Sequence, residues 1–412
     1  MKKLRVLYMA GAGDAKAAFQ AWANHSELEA ITHVGYSHQF FDACAEVGAS
    51  VLALTTHAND SDAQHGEMRV EKIDDYLAGT HGLAYHAAQV ILAAAIIKRA
   101  VAFRANVVVI GGEPHPELLA PLQLLGVRVV LAHHCVLWPA FQPRSTKSRV
   151  LFHTQRPFYR FHGDAVLSAS SMVSAQVQDI AGERTIPIVE FFPLFRSDLF
   201  SDIPDPEASR RPFRVMFVGR VEANKGVFDL MEIARRLRAA QRSDIVIDIC
   251  GSGAASAALE GQVREHGLQD LVVLHGWCDA QKLRSLQMQS HAAIVPTRTD
   301  FVEGFNHVIV EALLARRPVV TSKVCPAVHY LSGGVTLAHP DDPESYFQQL
   351  VKLVDDPAHY RTLQAGARDA GREFLSDENS YRQGVRHVLT AFAANQKPAP
   401  HIIAPVARLG PD

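Results

Sequence analysis

Short runs of apolar, often β-branched residues recur along the chain, each followed by a longer stretch with helical spacing. In the first half they are RVLYMA (5–10), VLALTT (51–56), VVVIGG (107–112), VRVVLA (127–132) and AVLSAS (165–170). In the second half they are RVMFVG (214–219), IVIDIC (245–250), LVVLHG (271–276), AAIVPT (292–297), PVVTSK (318–323) and GVTLAH (334–339). Continuous apolar strands alternating with helices predict parallel sheets covered on both faces. The series breaks at RSDLFSDIPDPEASRRP (196–212), a polar stretch with three prolines that reads as a linker. The fold class is therefore α/β, with doubly wound, Rossmann-like domains over 1–195 and 213–375. The tail KPAPHIIAPVARLGPD (397–412) lacks periodicity and is expected to be mobile. The most apolar stretch, AAQVILAAAII (87–97), is far shorter than the ~20 residues that span a bilayer and reads as a buried helix.

The 412 residues suffice for two or three domains. A net charge of −2 gives no basic field, so nucleic acid is not an expected partner. Five scattered cysteines without CxxC spacing read as reduced thiols of a cytoplasmic protein. The N-terminus runs straight into a strand-like segment and lacks the apolar stretch of a signal peptide. No HExxH or Cys/His zinc spacing occurs, so no metal site is expected.

In doubly wound sheets, ligands bind outside the carboxyl ends of the strands. Several loops fall there. GRVEANKG (219–226) brings Arg220 and Lys225 into a strand-to-helix turn, where helix N–H groups and the dipole already favour an anion. Two cations at that point suit a phosphate or diphosphate. GAGD (11–14), with Gly11 and Gly13, and GSG (251–253), with Gly251, let backbone approach a ligand closely. Neither completes a GxGxxG fingerprint, so the dinucleotide signal is weak.

DFVEGFNHVIVEAL (300–313) carries Glu303 and Glu311. The spacing of Val308, Ile309, Ala312 and Leu313 predicts a helix starting near Asn306 or His307. This leaves Glu303 in the preceding loop and Glu311 in the second turn. A retaining hydrolase pair needs carboxyls ~5 Å apart, whereas eight helical steps cover about 12 Å. The two read instead as separate hydroxyl clamps, with helix N–H groups between them for phosphate. Sugar, diphosphate and ribose in series describe a nucleotide sugar.

Other features carry less. His133 and His134 follow a strand in LAHHCVLWP (131–139), and one of them is expected to be structural. Asp60 and Asp62 form a DxD, more often a polar loop than a metal site. The stretch 143–160 carries Arg144, Lys147, Arg149, Arg156 and Arg160, either a solvated helix face or a patch for a phosphorylated acceptor or anionic membrane.

Taken together, GRVEANKG, CGSG (250–253), LHGWCD (274–279) and VPTRTDFVEGFNHVIVEALLARRPVV (295–320) resemble the retaining glycosyltransferases of family 4, also called group 1. The resemblance covers about 213–375. It implies the GT-B architecture, two Rossmann-like domains facing each other across a cleft, with a C-terminal helix at 376–396 crossing back to the first. It also implies roles: Arg220 and Lys225 on the leaving diphosphate, Glu311 on the ribose and Glu303 on the donor sugar. Gly304, Phe305, Asn306, His307 and Val308 would offer backbone N–H groups. Gly251, Trp277 and Cys278 would contact the base, and His134, rather than His133, would be the cleft histidine. The implied activity is metal-independent hexosyl transfer, without a cofactor, from a UDP- or GDP-sugar to a glycan, glycolipid or lipid-linked acceptor. The implied setting is cytoplasmic polysaccharide or glycoconjugate synthesis, with peripheral membrane contact. A nucleotide-sugar epimerase and a non-catalytic sugar-nucleotide binder are the competing readings. The chain departs from the family at Asn306-His307, where Gly or Pro usually follows EGF, and at GAGD, where a Gly-Gly pair is usual.

Overall fold

In a computed structural model, residues 3–11, 13–28, 31–57 and 62–406 are described. The chain divides into two compact units. The first comprises residues up to Leu137, Arg144–Leu194 and Asp377–Ile403, and the second Trp138–Pro143, Phe195–Ser376 and the residues from Ala404.

The first unit holds β1 (Arg5–Met9), β2 (Ser50–Thr55), β3 (Ala63–His65), β4 (Met68–Lys72), β5 (Val107–Ile110), β6 (Arg128–His133), β7 (Ala165–Ser168) and β8 (Ile188–Glu190). They form one sheet in the order β3-β4-β2-β1-β5-β6-β7-β8, parallel except for the β3/β4 hairpin. The second unit holds β9 (Phe213–Val218), β10 (Ile245–Cys250), β11 (Val272–Gly276), β12 (Ala292–Ile294), β13 (Val319–Thr321) and β14 (Val335–Leu337). Its all-parallel sheet runs β11-β10-β9-β12-β13-β14. Each apolar run read from the sequence becomes a strand. β2, β5, β7 and β10 are buried along their whole length, because helices cover both faces.

Strand order reverses beside the first strand of each unit, between β1 and β5 and between β9 and β12. A crevice forms outside the carboxyl ends at such a point. In the second unit the residues leaving those two ends are 219–226 and 295–306.

Three expectations need correction. The segment 196–212 is not a free linker. Phe200 and Ile203 are buried, Asp205 pairs with Arg316 and Arg368, and the buried Arg317 guanidinium donates to the Pro204 carbonyl at 2.7 Å. The tail is not mobile over 397–406. His401 makes a parallel bridge to Val189, with hydrogen bonds of 2.9 and 2.8 Å to Ile188 and Glu190, while 407–412 lie outside the described residues. The stretch 87–97 is not a buried helix. It belongs to Gly82–Phe103, which buries Leu92, Ala93 and Ile96 but exposes Leu83, Val90, Ile91 and Val101. Among the described residues this helix alone is long and apolar enough to cross a membrane. The C-terminal helix is Tyr381–Ala393, packed on helix Tyr36–Glu46 of the first unit.

Candidate active site

The turn after β9 is built by close backbone packing. Gly226, at φ 77°, opens helix Val227–Ala239, and a Cβ there would lie 2.1 Å from the Pro296 carbonyl oxygen. Only glycine lets the turn after β9 meet the loop after β12 so closely. Lys225 therefore reaches the EGF loop: its Nζ lies 2.8 Å from Glu303 Oε2 and 3.8 Å from the centroid of the Phe301 ring. Arg220 is more exposed, paired with Glu222 at 2.8 Å and 5.7 Å from the same ring. Arg298 braces the same loop from behind. Its guanidinium donates to both Asp229 oxygens at 2.7 and 2.9 Å, and its backbone N–H bonds the Asn224 carbonyl at 3.0 Å.

Glu303 is nearly buried and its carboxylate is surrounded by donors. Besides Lys225, it accepts from the Gly304 N–H at 3.0 Å and from Asn306 Nδ2 at 2.5 Å. Asn306 takes the left-handed conformation, φ 64°, immediately before helix His307–Leu314. An asparagine there ordinarily caps the helix with its side chain. Here the amide turns to Glu303 and makes no cap, so the first helix N–H groups keep their attraction for an anion. The Gly304 N–H, expected for the donor, is already used by Glu303. Phe305 is buried against Phe374, and the His307 ring lies 5.8 Å from Phe195.

Beside the cations lies a cavity of about 240 Å³ lined by Val218, Gly219, Arg220, Gly251, Trp277 and Cys278, among others. A Cβ on Gly251 (φ 143°) would sit 1.8 Å from the Gly219 carbonyl oxygen, so the crossing of the β9 and β10 loops requires glycine. Trp277 is 74% exposed at this cavity, an apolar plate left open to solvent. Glu311 lines an adjoining recess with Val308 and Val218, and Val218 also lines the larger cavity. The residues expected at base, ribose, diphosphate and sugar thus follow one another around the β9/β12 switch point. A cavity of about 890 Å³ lies in the first unit against helix Tyr381–Ala393 and contains none of them.

In the first unit, β6 delivers His133 and His134. His133 Nε2 meets the Tyr159 hydroxyl at 3.0 Å, a structural pairing. The His134 ring packs 4.4 Å from Tyr36, 5.2 Å from Tyr381 and 5.5 Å from Phe191. Burial brings both imidazoles down to about 4, so both are neutral near pH 7. Gly11 follows β1 and faces Gly111, whose carbonyl oxygen would lie 2.8 Å from a Cβ; around Gly13 there is open space.

Of the remaining candidates, Asp62 accepts from the Lys72 N–H at 3.0 Å, and Asp60 lies outside the described residues. No metal-binding cluster occurs among the described residues. The basic stretch forms helix Thr146–Pro157, with Arg144 paired to Asp179 at 2.8 Å and Lys147 and Arg149 exposed, as a solvated face. Sequence reasoning missed Phe301 and the Lys225–Glu303 pair. The aromatic residue two positions before EGF was the available signal for the first. Nothing local marked the second, because the partners are 78 positions apart.

Comparison with known proteins bears on the family and the fold. The family model described as glycosyl transferases group 1 matches residues 201–370. The alpha-D-kanosaminyltransferase of Streptomyces kanamyceticus is 27% identical over 258 residues, 59% of this chain and 65% of that protein. The glycogen synthase of Mycobacterium tuberculosis is 32% identical over 179 residues, 42% of this chain and 41% of that protein. The matched stretches thus span less than two thirds of either relative. Among solved structures, the sucrose-phosphate synthase of Thermosynechococcus elongatus superposes with a TM-score of 0.70 at 18% identity, covering 95% of this chain and 100% of that one. The Anabaena protein HepE in complex with UDP superposes at 0.65 and 15% identity, with the same coverages. At such identities these two establish the fold, which is GT-B. Residues 201–370, set in that fold, are similar to the group 1 glycosyltransferases.

Proposed function

We propose that this chain is a retaining, metal-independent hexosyltransferase that uses a nucleotide diphosphate sugar, with UDP as the favoured carrier. The observation that carries the reading is the Lys225–Glu303 pair at the switch point, beside the uncapped N-terminus of helix His307–Leu314. A diphosphate at that N-terminus meets backbone N–H groups, Lys225 and Arg220 together. These cations supply the positive charge that a divalent ion supplies in other transferases. Stabilising charge on the departing diphosphate is the largest contribution a preorganised site can make. The acceptor hydroxyl then attacks C1 from the face the diphosphate leaves, and configuration is retained.

Glu303, freed in part as Lys225 turns to phosphate, would accept from donor-sugar hydroxyls. Glu311 would accept from the ribose, and Trp277 would cover the base. UDP is favoured because HepE is described with UDP and with UDP-glucose, and a small cavity beside one exposed aromatic suits a pyrimidine. We assign His134, held neutral, to acceptor recognition as a hydrogen-bonding group. The setting we propose is cytoplasmic glycan or glycoconjugate synthesis. The exposed Leu83, Val90, Ile91 and Val101 would support peripheral membrane contact with a lipid-linked acceptor.

The test is a thermal-shift panel of UDP-, GDP- and dTDP-sugars, since a bound donor stabilises by mass action. A rise confined to one base identifies the carrier, and absence of any rise would sink the proposal.

A further inference from the structure

Cys250 ends β10 and Cys278 lies just beyond β11, its parallel neighbour, whose Gly276 pairs with Cys250 after a one-residue register shift. Both cysteines line the cavity that also holds Gly251 and Trp277. Cys250 is buried, packed with Met216 and Leu286, and Cys278 packs onto that cluster from the solvent side. The two thiols thus share one wall of the cavity and one packed cluster. Cys278 also points toward the Gly276 carbonyl, 3.5 Å away. Two thiols packed into one cluster beside neighbouring strand ends, one partly accessible and one behind it, suit an attacking and a resolving pair.

We infer that Cys250 and Cys278 are a thiol–disulfide modification site that closes the nucleotide cavity. This inference rests on the donor-site reading for its effect but not for its chemistry. The oxidant is a low-molecular-weight disulfide such as oxidised glutathione. The Cys278 thiolate attacks one of its sulfurs and expels one thiolate, leaving a mixed disulfide. The Cys250 thiol loses its proton, attacks Cys278 Sγ and expels the second. Two cysteine thiols become one disulfide, and one external disulfide becomes two thiols. Burial raises the Cys250 thiol well above its ordinary range, so the second step is the slower one and quickens with rising pH. Drawing the two sulfurs into a bond pulls the Trp277-Cys278 turn onto β10, where the nucleoside would lie.

The experiment uses the full chain carrying Cys135→Ser, which removes the exposed thiol. The protein is equilibrated with oxidised glutathione, alkylated and mapped by peptide mass. A bridge joining the Cys250 and Cys278 peptides is expected, absent in Cys278→Ser. The thermal rise produced by UDP should be lost on oxidation and restored by dithiothreitol. A persistent glutathione adduct on Cys278 with Cys250 free, or no reaction at either, overturns the inference. A bridged protein that keeps its full UDP rise overturns the closing of the cavity. Should the reduced protein show no UDP rise, the donor reading fails and the gating with it, while the peptide map still decides the bridge.

Discussion

Lys225 Nζ stands 2.8 Å from Glu303 Oε2, so the cation expected at the leaving group and the carboxylate expected at the sugar are one ion pair before any donor arrives. Both side chains are largely shielded from solvent, at 18% and 12% exposure, and the pair is only weakly screened. Donor binding is then an exchange of partners, in which phosphate takes a share of Lys225 and sugar hydroxyls take a share of Glu303.

Replacing either partner separates these roles. Lys225→Ala should lower kcat by about a hundredfold or more and weaken UDP itself, because charge on the diphosphate loses its nearest cation. Glu303→Gln should leave UDP binding near normal and abolish the extra affinity of the UDP-sugar over UDP. Steady-state kinetics with a calorimetric titration of UDP and UDP-sugar checks both, and Lys225→Ala with near-normal turnover contradicts the assignment.

Trp277 makes a prediction about the base alone. Trp277→Ala should raise the Kd for UDP roughly tenfold, the cost of one lost aromatic stack. The melting temperature of the ligand-free protein should hardly move, because the side chain is 74% exposed. Equal losses of stability and affinity would show that the ring is structural.

At Gly251 the expectation is reversed. Gly251→Ala places a methyl 1.8 Å from the Gly219 carbonyl oxygen at φ 143°. Backbone cannot yield cheaply there, so the variant should lose at least about 2 kcal/mol of stability, read by chemical denaturation.

The pH dependence follows from the histidines. His133 and His134 are lowered by burial to about 4, while the unfolded chain titrates near ~6.5. A depressed histidine contributes stability that is fully present above the unfolded value. This stability is lost as pH falls through ~6.5 toward the folded value, because the unfolded state takes up protons the native state refuses. Thermal melts should fall by several degrees, roughly 2–4 °C per kcal/mol, between pH 7.5 and 5. His134→Gln should flatten that slope.

Much of the scaffold was legible because burial on both faces writes a strand as an unbroken apolar run. The exceptions follow from the same physics. The β3/β4 hairpin, AQHGEMRVEK, sits at a sheet edge and reads as polar, and β8 is only three residues long. The tail joins that other edge through backbone hydrogen bonds at His401, which no side-chain periodicity records. Phe200 and Ile203 lie isolated among prolines and acids, so their burial within the second unit left no pattern. In the site, residue types at strand ends were readable. The Lys225 contact to Glu303 was not, since it depends on how two loops cross at Gly226.

The division of the chain also bears on the order of its synthesis. Helix Tyr381–Ala393 and the strand-like residues around His401 complete the first unit, although the whole core of the second lies between them and its other parts. On the ribosome, the second unit can close around β9–β14 while the first still waits for a helix not yet made. The buried Tyr381 side chain, against Tyr36 and Phe191, is among the last pieces to arrive. A fragment ending at the apparent boundary near 195 would deprive the first unit of its closing helix, and its fold should be recovered only when residues 377–403 are supplied to it.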